Sequence, residues 1–282
     1  MTLLKATSYS TCIAAAVMGA PRRGIIHSAF DAAANIVFPG DFVLSLNAAS
    51  FSQHSGGDLP LPRMPNGLQL TAPAGTFPFI ALRVGMPVLF GAQRLQIEAI
   101  ACSLDLSLCS QWDPHIEHPT VLDMEIVRKN RERLAGYVSV RVRLGWEEGL
   151  MPVRAWDFSY WPKVRELAQS LCGRGIGLTP SGDDMLVGWM AAGWLLYGPM
   201  PGFLNACQQI VEVAKRQTHL LSRCWLGYAA EGNVAQPICA LLDTLTRDDE
   251  RQLSIAAEAV LAMGATSGRD VIQGILLMLN AI

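Results

Sequence analysis

Two stretches of this chain share one pattern. Ser181-Gly182-Asp183-Asp184, three residues and Gly188 are matched by Ser267-Gly268-Arg269-Asp270, three residues and Gly274. Each copy heads an apolar run of helical period, so each trailing glycine falls one turn below its aspartate, on the same face. Small residues there let another backbone come close, so the pattern asks for two helices whose starts pack near each other. Ahead of the first copy runs Gly173-Arg174-Gly175-Ile176-Gly177-Leu178-Thr179-Pro180, and glycine admits positive φ and close approach. Thr179-Pro180 is one helix-start signal. Ser181 with Asp184 is another, a capping box with aspartate in place of glutamate. In either register the first turn presents N–H groups that need partners, and such an end receives anions.

Asp183 and Asp184 would repel a bare phosphate, which leaves three readings open. A cation such as Mg²⁺ bridges them, or they face an N–H-bearing part of a substrate. Alternatively Asp184 closes the capping box while Asp183 complements the helix dipole. The second copy carries Arg269 where the first has Asp183, and an arginine fork suits a carboxylate or phosphate. The same residue also reads as an ion-pair partner of Asp183 or Asp184. The site expected from these copies takes a small anionic substrate. Asp183, Asp184 and Arg269 are its reacting groups, and Gly175, Gly177, Thr179, Ser181, Gly182, Ser267, Gly268 and Asp270 are its lining.

The rest of the chain predicts an α+β fold, with a β-rich barrel- or sandwich-like domain over 1–150 and a helical domain over 151–282. From about 24 to 110 short apolar runs are separated by turn signals. Ile25-Ile26, Ile36-Val37-Phe38 and Phe42–Leu46 are strands, with Pro39-Gly40-Asp41 a turn. Leu95, Ile97, Ala99 and Ala101 alternate as one half-buried strand, Tyr137–Leu144 as the last, and the proline-rich Leu59–Pro65 reads as irregular. Leu122–Leu134 suggests an amphipathic helix, and Gly145–Gly149 a boundary. Helices follow at 160–172, 183–197, 203–230, 234–247, 251–263 and 268–281 by the 3.6 period. Within the third of these, Thr218, Ser222 and Trp225 share a face.

With 51% hydrophobic residues and 16% charged, the chain has ample core material. A net charge of -2 gives no basic footprint for nucleic acid. Seven cysteines without a CxxC pair read as reduced thiols in a cytoplasmic protein. Cys12–Ala20 faintly imitates a signal peptide, but Thr7–Thr11 interrupts it, and no apolar run reaches membrane-spanning length. His115 and His118 have the spacing of a metal pair without further ligands around them. His54 beside Ser55-Gly56-Gly57-Asp58 sits in a loop that can meet a ligand, and His27 and His219 read as structural.

Three segments in this order, Gly175–Asp184, Tyr228-Ala229-Ala230-Glu231-Gly232 and Gly264-Ala265-Thr266-Ser267-Gly268-Arg269-Asp270, resemble the AllH family, some members of which are labelled carboxylase. The resemblance is specific over 173–282 and weak over the first 150 residues. The family's Gly-Pro-Gly is Gly175-Ile176-Gly177 here, a less stiff loop. The resemblance implies a subunit of a carbamoyltransferase of allantoin breakdown that works with AllG-like and FdrA-like proteins. Its reaction joins carbamoyl phosphate and oxamate to give oxalurate and phosphate, or runs in reverse. The Ser-x-Arg-Thr-Arg phosphate loop of ordinary transcarbamoylases is absent from this sequence. The competing expectations are a non-catalytic structural or regulatory subunit and a stand-alone small-molecule or nucleotide-binding enzyme. For the latter no Walker segment is present.

Overall fold

The computed structural model describes residues 2–53, 57–141, 163–175, 177–280 and 282. His54, the expected boundary at Gly145–Gly149 and the division near residue 150 lie outside the described residues. Two compact units are present, one ending at Pro114 and one beginning at His115.

The first unit contains β1 (Thr2–Ser10), α1 (Ala14–Met18), β2 (Arg22–Ala29), β3 (Ala33–Phe38), β4 (Phe42–Asn47), β5 (Ser50–Gln53), β6 (Gly57–Pro60), β7 (Gly67–Leu70), β8 (Pro87–Gly91), β9 (Arg94–Ile97), β10 (Cys102–Asp105) and β11 (Ser110–Trp112). The strands run β10-β9-β8-β2-β3-β4-β7-β1, and a parallel pairing of Thr2–Lys5 with Cys102–Asp105 closes them into an eight-stranded barrel. β11 continues beside the end of β1, and β5 and β6 form a separate hairpin. Alternate residues point inward. Ile26, Ile36, Phe38, Leu44, Leu46, Leu68, Leu70, Phe90, Leu95 and Leu104 make one core, joined by Ile13 and Val17 from the first crossing. The three-residue β3–β4 turn puts Gly40 and Asp41 at φ 81° and 59°, left-handed conformations that glycine takes freely and aspartate tolerates.

Two expectations for this unit are corrected. The alternation from Leu95 to Ala101 is not one strand: β9 ends at Ile97 and a 3₁₀ turn follows at Glu98–Ile100. Ala101 then turns left-handed at φ 49°, so Cys102–Asp105 folds back onto β9. Part of the proline-rich stretch is regular, because Gly57–Pro60 pairs with β5. Pro60 stands at the strand's end opposite Ser50, where a missing N–H is tolerated.

The second unit contains α2 (Met124–Arg141), α3 (Val164–Leu171), α4 (Ser181–Tyr197), α5 (Pro201–Gln217), α6 (Leu220–Ala230), α7 (Gln236–Leu245), α8 (Glu250–Leu261) and α9 (Ser267–Leu279). Among the described residues, no helix is long and apolar enough to cross a membrane. Tyr137–Arg141, expected in a strand, is helical. Val127, Leu134 and Val138 are buried at spacings of seven and four, a helical stripe that the run of alternate valines disguised. The expected helix 203–230 is two, broken where Thr218 and His219 become extended.

α4 is buried on all sides from Ser181 to Leu195, the mark of a central helix. It crosses α9 at the paired glycines. A Cβ on Gly188 would stand 2.0 Å from the Val271 carbonyl oxygen, and one on Gly274 1.9 Å from that of Met185. The leading glycines repeat the device: Gly182 abuts the Leu171 carbonyl at the end of α3, and Gly268 abuts that of Val260 near the end of α8. The chain therefore builds the same corner twice, as α3–α4 and as α8–α9. Gly188→Ala and Gly274→Ala should each cost roughly 1–3 kcal/mol by overpacking, read as a lower urea midpoint. An unchanged midpoint for both would mean that the helices do not touch there.

Candidate functional site

The starts of α4 and α9 come together. Thr179 Oγ1 lies 3.0 Å from Asp184 Oδ2 and 3.1 Å from Ser267 Oγ, so one hydroxyl bridges the two helices. Ser267 also hydrogen-bonds Asp184. Neither expected cap forms as read. Pro180 occupies the cap position of α4 without a side-chain bond, Ser181 is already helical, and the Ser181–Asp184 capping box is absent. The Asp184 carboxylate is turned toward Thr179 and Ser267 instead.

The backbone donors expected to cradle an anion are largely committed. Gly182 N–H donates to the Arg174 carbonyl at 2.9 Å, and Gly268 N–H to that of Met263 at 3.0 Å. Asp183 and Asp184 N–H both reach the Pro180 carbonyl. Gly173, Gly175 and Gly177 have φ of 71°, 105° and 116°, a left-handed run that only glycine takes without strain. It folds the loop back until a Cβ on Gly175 would stand 2.7 Å from the Ser181 nitrogen.

The carboxylates divide by partner. Asp183, 2% exposed, accepts Gly173 N–H at 2.9 Å on one oxygen and the Thr218 hydroxyl on the other. It thereby ties the end of α3 and the α5–α6 break to α4. Thr218 was expected on a helix with Ser222 and Trp225. It lies at the break instead, while Ser222 is fully buried and Trp225 half-buried. Asp184, 8% exposed, has its carboxyl raised from 3.8 to about 7. Burial is the chief cause, the Ser267 and Thr179 hydroxyls oppose it, and the Asp270 and Asp183 charges add to it. Asp270, 2% exposed, accepts Arg269 Nε at 3.1 Å on Oδ1. Arg269 thus pairs with its own neighbour, not with Asp183 or Asp184. Among the described residues its terminal guanidinium nitrogens bear no hydrogen bond or ion pair.

Among the described residues no group of three or more His, Cys, Asp and Glu side chains is placed to hold a metal. His118 donates its Nδ1–H to the Leu195 carbonyl at 2.9 Å and His115 stands edge-on to Trp194. Both line a separate cavity of about 410 Å³ beside α7. The Thr179–Ser267 contact was not read from the sequence. Its signal was there in Ser267, which heads the second copy, and in Thr179, two residues ahead of the first.

A family model described as oxamate carbamoyltransferase subunit AllH matches residues 171–279. This stretch is AllH-like. The match takes in α4 to α9, the glycine loop, and Asp183, Asp184 and Asp270, and it begins at the last residue of α3. No solved structure matches the chain.

The two adjacent aspartates of the AllH-like segment should respond oppositely to substitution. Asp184 holds its proton more tightly when folded than when unfolded. Its contribution is therefore fully favourable below the unfolded value near 4 and declines as pH rises toward 7. The whole span is no more than roughly 4 kcal/mol at about 1.4 kcal/mol per pKa unit. Asp184→Asn should match the parent near pH 4 and exceed its melting temperature at pH 8. A difference that stays constant with pH would refute this. Asp183→Ala leaves a buried N–H and a hydroxyl without their acceptor and should cost about 2–4 kcal/mol at pH 7; an unaltered melting temperature would remove its tying role.

Proposed function

We propose that this chain is a subunit of an oxamate carbamoyltransferase, joining oxamate to the carbamoyl group of carbamoyl phosphate or running the reverse reaction. In this reading the substrate meets the chain where α4 and α9 begin. The observation that carries it is the Thr179–Asp184–Ser267 cluster, which links both helix starts inside the AllH-like segment. The guanidinium of Arg269, anchored through Nε, offers its two terminal nitrogens to the oxamate carboxylate as a fork. The Thr179 and Ser267 hydroxyls and the exposed loop at Gly175 and Gly177 line the rest, with Ser181, Gly182, Gly268 and Asp270 behind them.

Asp184 fits the role of proton acceptor. In the forward direction the amide nitrogen of oxamate attacks the carbamoyl carbon, a C–N bond forms, the C–O bond to phosphate breaks and the amide loses a proton. A carboxyl that titrates near 7 is matched to that transfer at neutral pH. Both oxygens of Asp183 are engaged elsewhere, so orienting the amide falls to Asp184. Acceleration comes from positioning and charge stabilisation, without a covalent nucleophile.

A supporting, non-catalytic role is favoured by one observation, the internal use of the Gly182 and Gly268 N–H groups. Reconstitution with AllG-like and FdrA-like partners separates the two. Carbamoyl phosphate and oxamate should give oxalurate only when this chain is present. Arg269→Lys should raise the KM for oxamate about tenfold or more, from a loss of about 1–3 kcal/mol, with its melting temperature held. Full activity of the Asp184→Asn and Arg269→Lys complexes would assign the chain the supporting role. Undiminished turnover without the chain would refute the proposal altogether.

A further inference from the structure

His115 and His118 take no part in the helix-start cluster, and neither does the segment 228–232. The fold brings them together at the other end of α4, beside Leu195 and the C-cap Gly198. Ser181 and Leu195 stand roughly 20 Å apart along the helix axis, at about 1.5 Å per residue. The segment 115–119 straps this end. Ile116 N–H donates to the Gly232 carbonyl at 2.8 Å, and His115 forms an isolated antiparallel bridge with Asn233. Both imidazoles sit on glycines of positive φ. A Cβ on Gly232 (φ 82°) would stand 2.6 Å from His115 Cε1, and one on Gly198 (φ 53°) 2.7 Å from His118 Cδ2. Two backbone positions are thus left bare to admit these two rings.

Between the strap and α7 lies the cavity of about 410 Å³, within the size range of small-molecule sites. Gln236, Cys239, Asp243 and Thr246 line one wall at steps of three, four and three, a single face of α7 and its C-cap. Glu117 and His118 line the strap side. Ile116, Leu195 and Leu242, each 3% exposed or less, supply apolar surface. The charged and imidazole groups here are acceptors. His118 spends its Nδ1–H on the Leu195 carbonyl, so Nε2 of the neutral ring is an acceptor. Asp243 takes Arg247 on Oδ1 in an exposed pair, which is worth little, and keeps Oδ2. Glu117 adds a second carboxylate. Among the described residues lining the cavity, none is Lys or Arg.

We propose that this cavity binds a primary ammonium group on a short apolar stem, carried by a small amine or by a lysine side chain of a partner protein. The three ammonium N–H donors have His118 Nε2, Asp243 Oδ2 and the Glu117 carboxylate as acceptors. The stem has Ile116, Leu195 and Leu242 to lie against. A guanidinium fork fits less well, because Asp243 has one oxygen left and His118 one nitrogen, and neither grips two parallel N–H groups. A carboxylate or phosphate would face two carboxylates with no lining cation to offset its desolvation. The cavity is independent of the carbamoyl-transfer reading, which involves only the opposite end of α4.

The full-length protein is titrated with butylamine, butanol and butyrate, which share a stem and differ in charge, and with Nα-acetyl-lysine amide. Ligand-observed NMR reads saturation. Both amines should bind saturably, and the alcohol and the acid should not. Whichever amine binds more tightly identifies the source, small molecule or partner side chain. Asp243→Asn should weaken both amines about tenfold, the loss of roughly one charge-assisted hydrogen bond. Ala240→Phe, on the exposed lining of α7, should fill the cavity and abolish binding. Melting temperatures should hold for both, since both positions are exposed. If Ala240→Phe fails to fold, the isosteric Asp243→Asn decides alone. The proposal is overturned if neither amine saturates, if butanol or butyrate binds equally well, or if either folded variant binds as the parent does.

Discussion

Everything in the helical unit depends on how closely α4 and α9 approach. Backbone meets backbone at Gly188 and Gly274, with no room for a single methyl group on either side. That approach brings the two helix starts within reach of one hydroxyl, and only then can Thr179 touch both Asp184 and Ser267. It also places buried carboxylates from two helices beside one another. The loss of water above all, and to a smaller extent their mutual charge, raises the Asp184 carboxyl to about 7. The chemistry available at this end of the unit is therefore a consequence of side-chain size one turn away. Larger residues at the crossing would separate the starts, let in water and return Asp184 to an ordinary carboxylate.

The two copies of the repeat were legible because helical spacing and glycine are local signals. Ser-Gly-x-Asp followed by glycine one turn on specifies a helix start and a crossing surface, and both formed. The strand-rich first unit was legible for the same reason, since the short apolar runs at Ile36 and Leu44 and the alternation from Leu95 are written residue by residue. Failures came where two elements share one pattern. Val138 continues either a strand or a helical stripe, and Ala99 and Ala101 extend an alternation that the left-handed Ala101 had already turned. Nothing local marks that a barrel closes, because Thr2–Lys5 and Cys102–Asp105 meet across about a hundred residues.

At the candidate site, residue types were legible and partners were not. Asp183 and Asp184 look alike in sequence, yet one holds Gly173 and Thr218 while the other turns to Thr179 and Ser267. Successive helical residues project about 100° apart, so adjacent carboxylates necessarily face different elements. The expectation of free N–H donors failed for a related reason. A helix start buried in a core must satisfy its donors, and the incoming loops do so through the Arg174 and Met263 carbonyls.

The difference between the copies is where structure and function separate. In the first, Asp183 faces inward and holds two neighbouring segments, work that demands an acceptor in a buried place. In the second, the equivalent position is Arg269, whose side chain is 21% exposed. A cation in the first turn opposes the helix dipole, so the position is not optimised for its own helix. Asp270 offsets that cost by taking Nε, and a monodentate pair of this kind fixes the plane of the guanidinium while leaving its outer edge open. An arginine needed only to neutralise Asp270 would gain more by presenting two nitrogens to its two oxygens, but among the described residues Asp270 Oδ2 is left without a partner. The first copy thus builds the corner, and the second keeps the same corner while turning a charged edge outward.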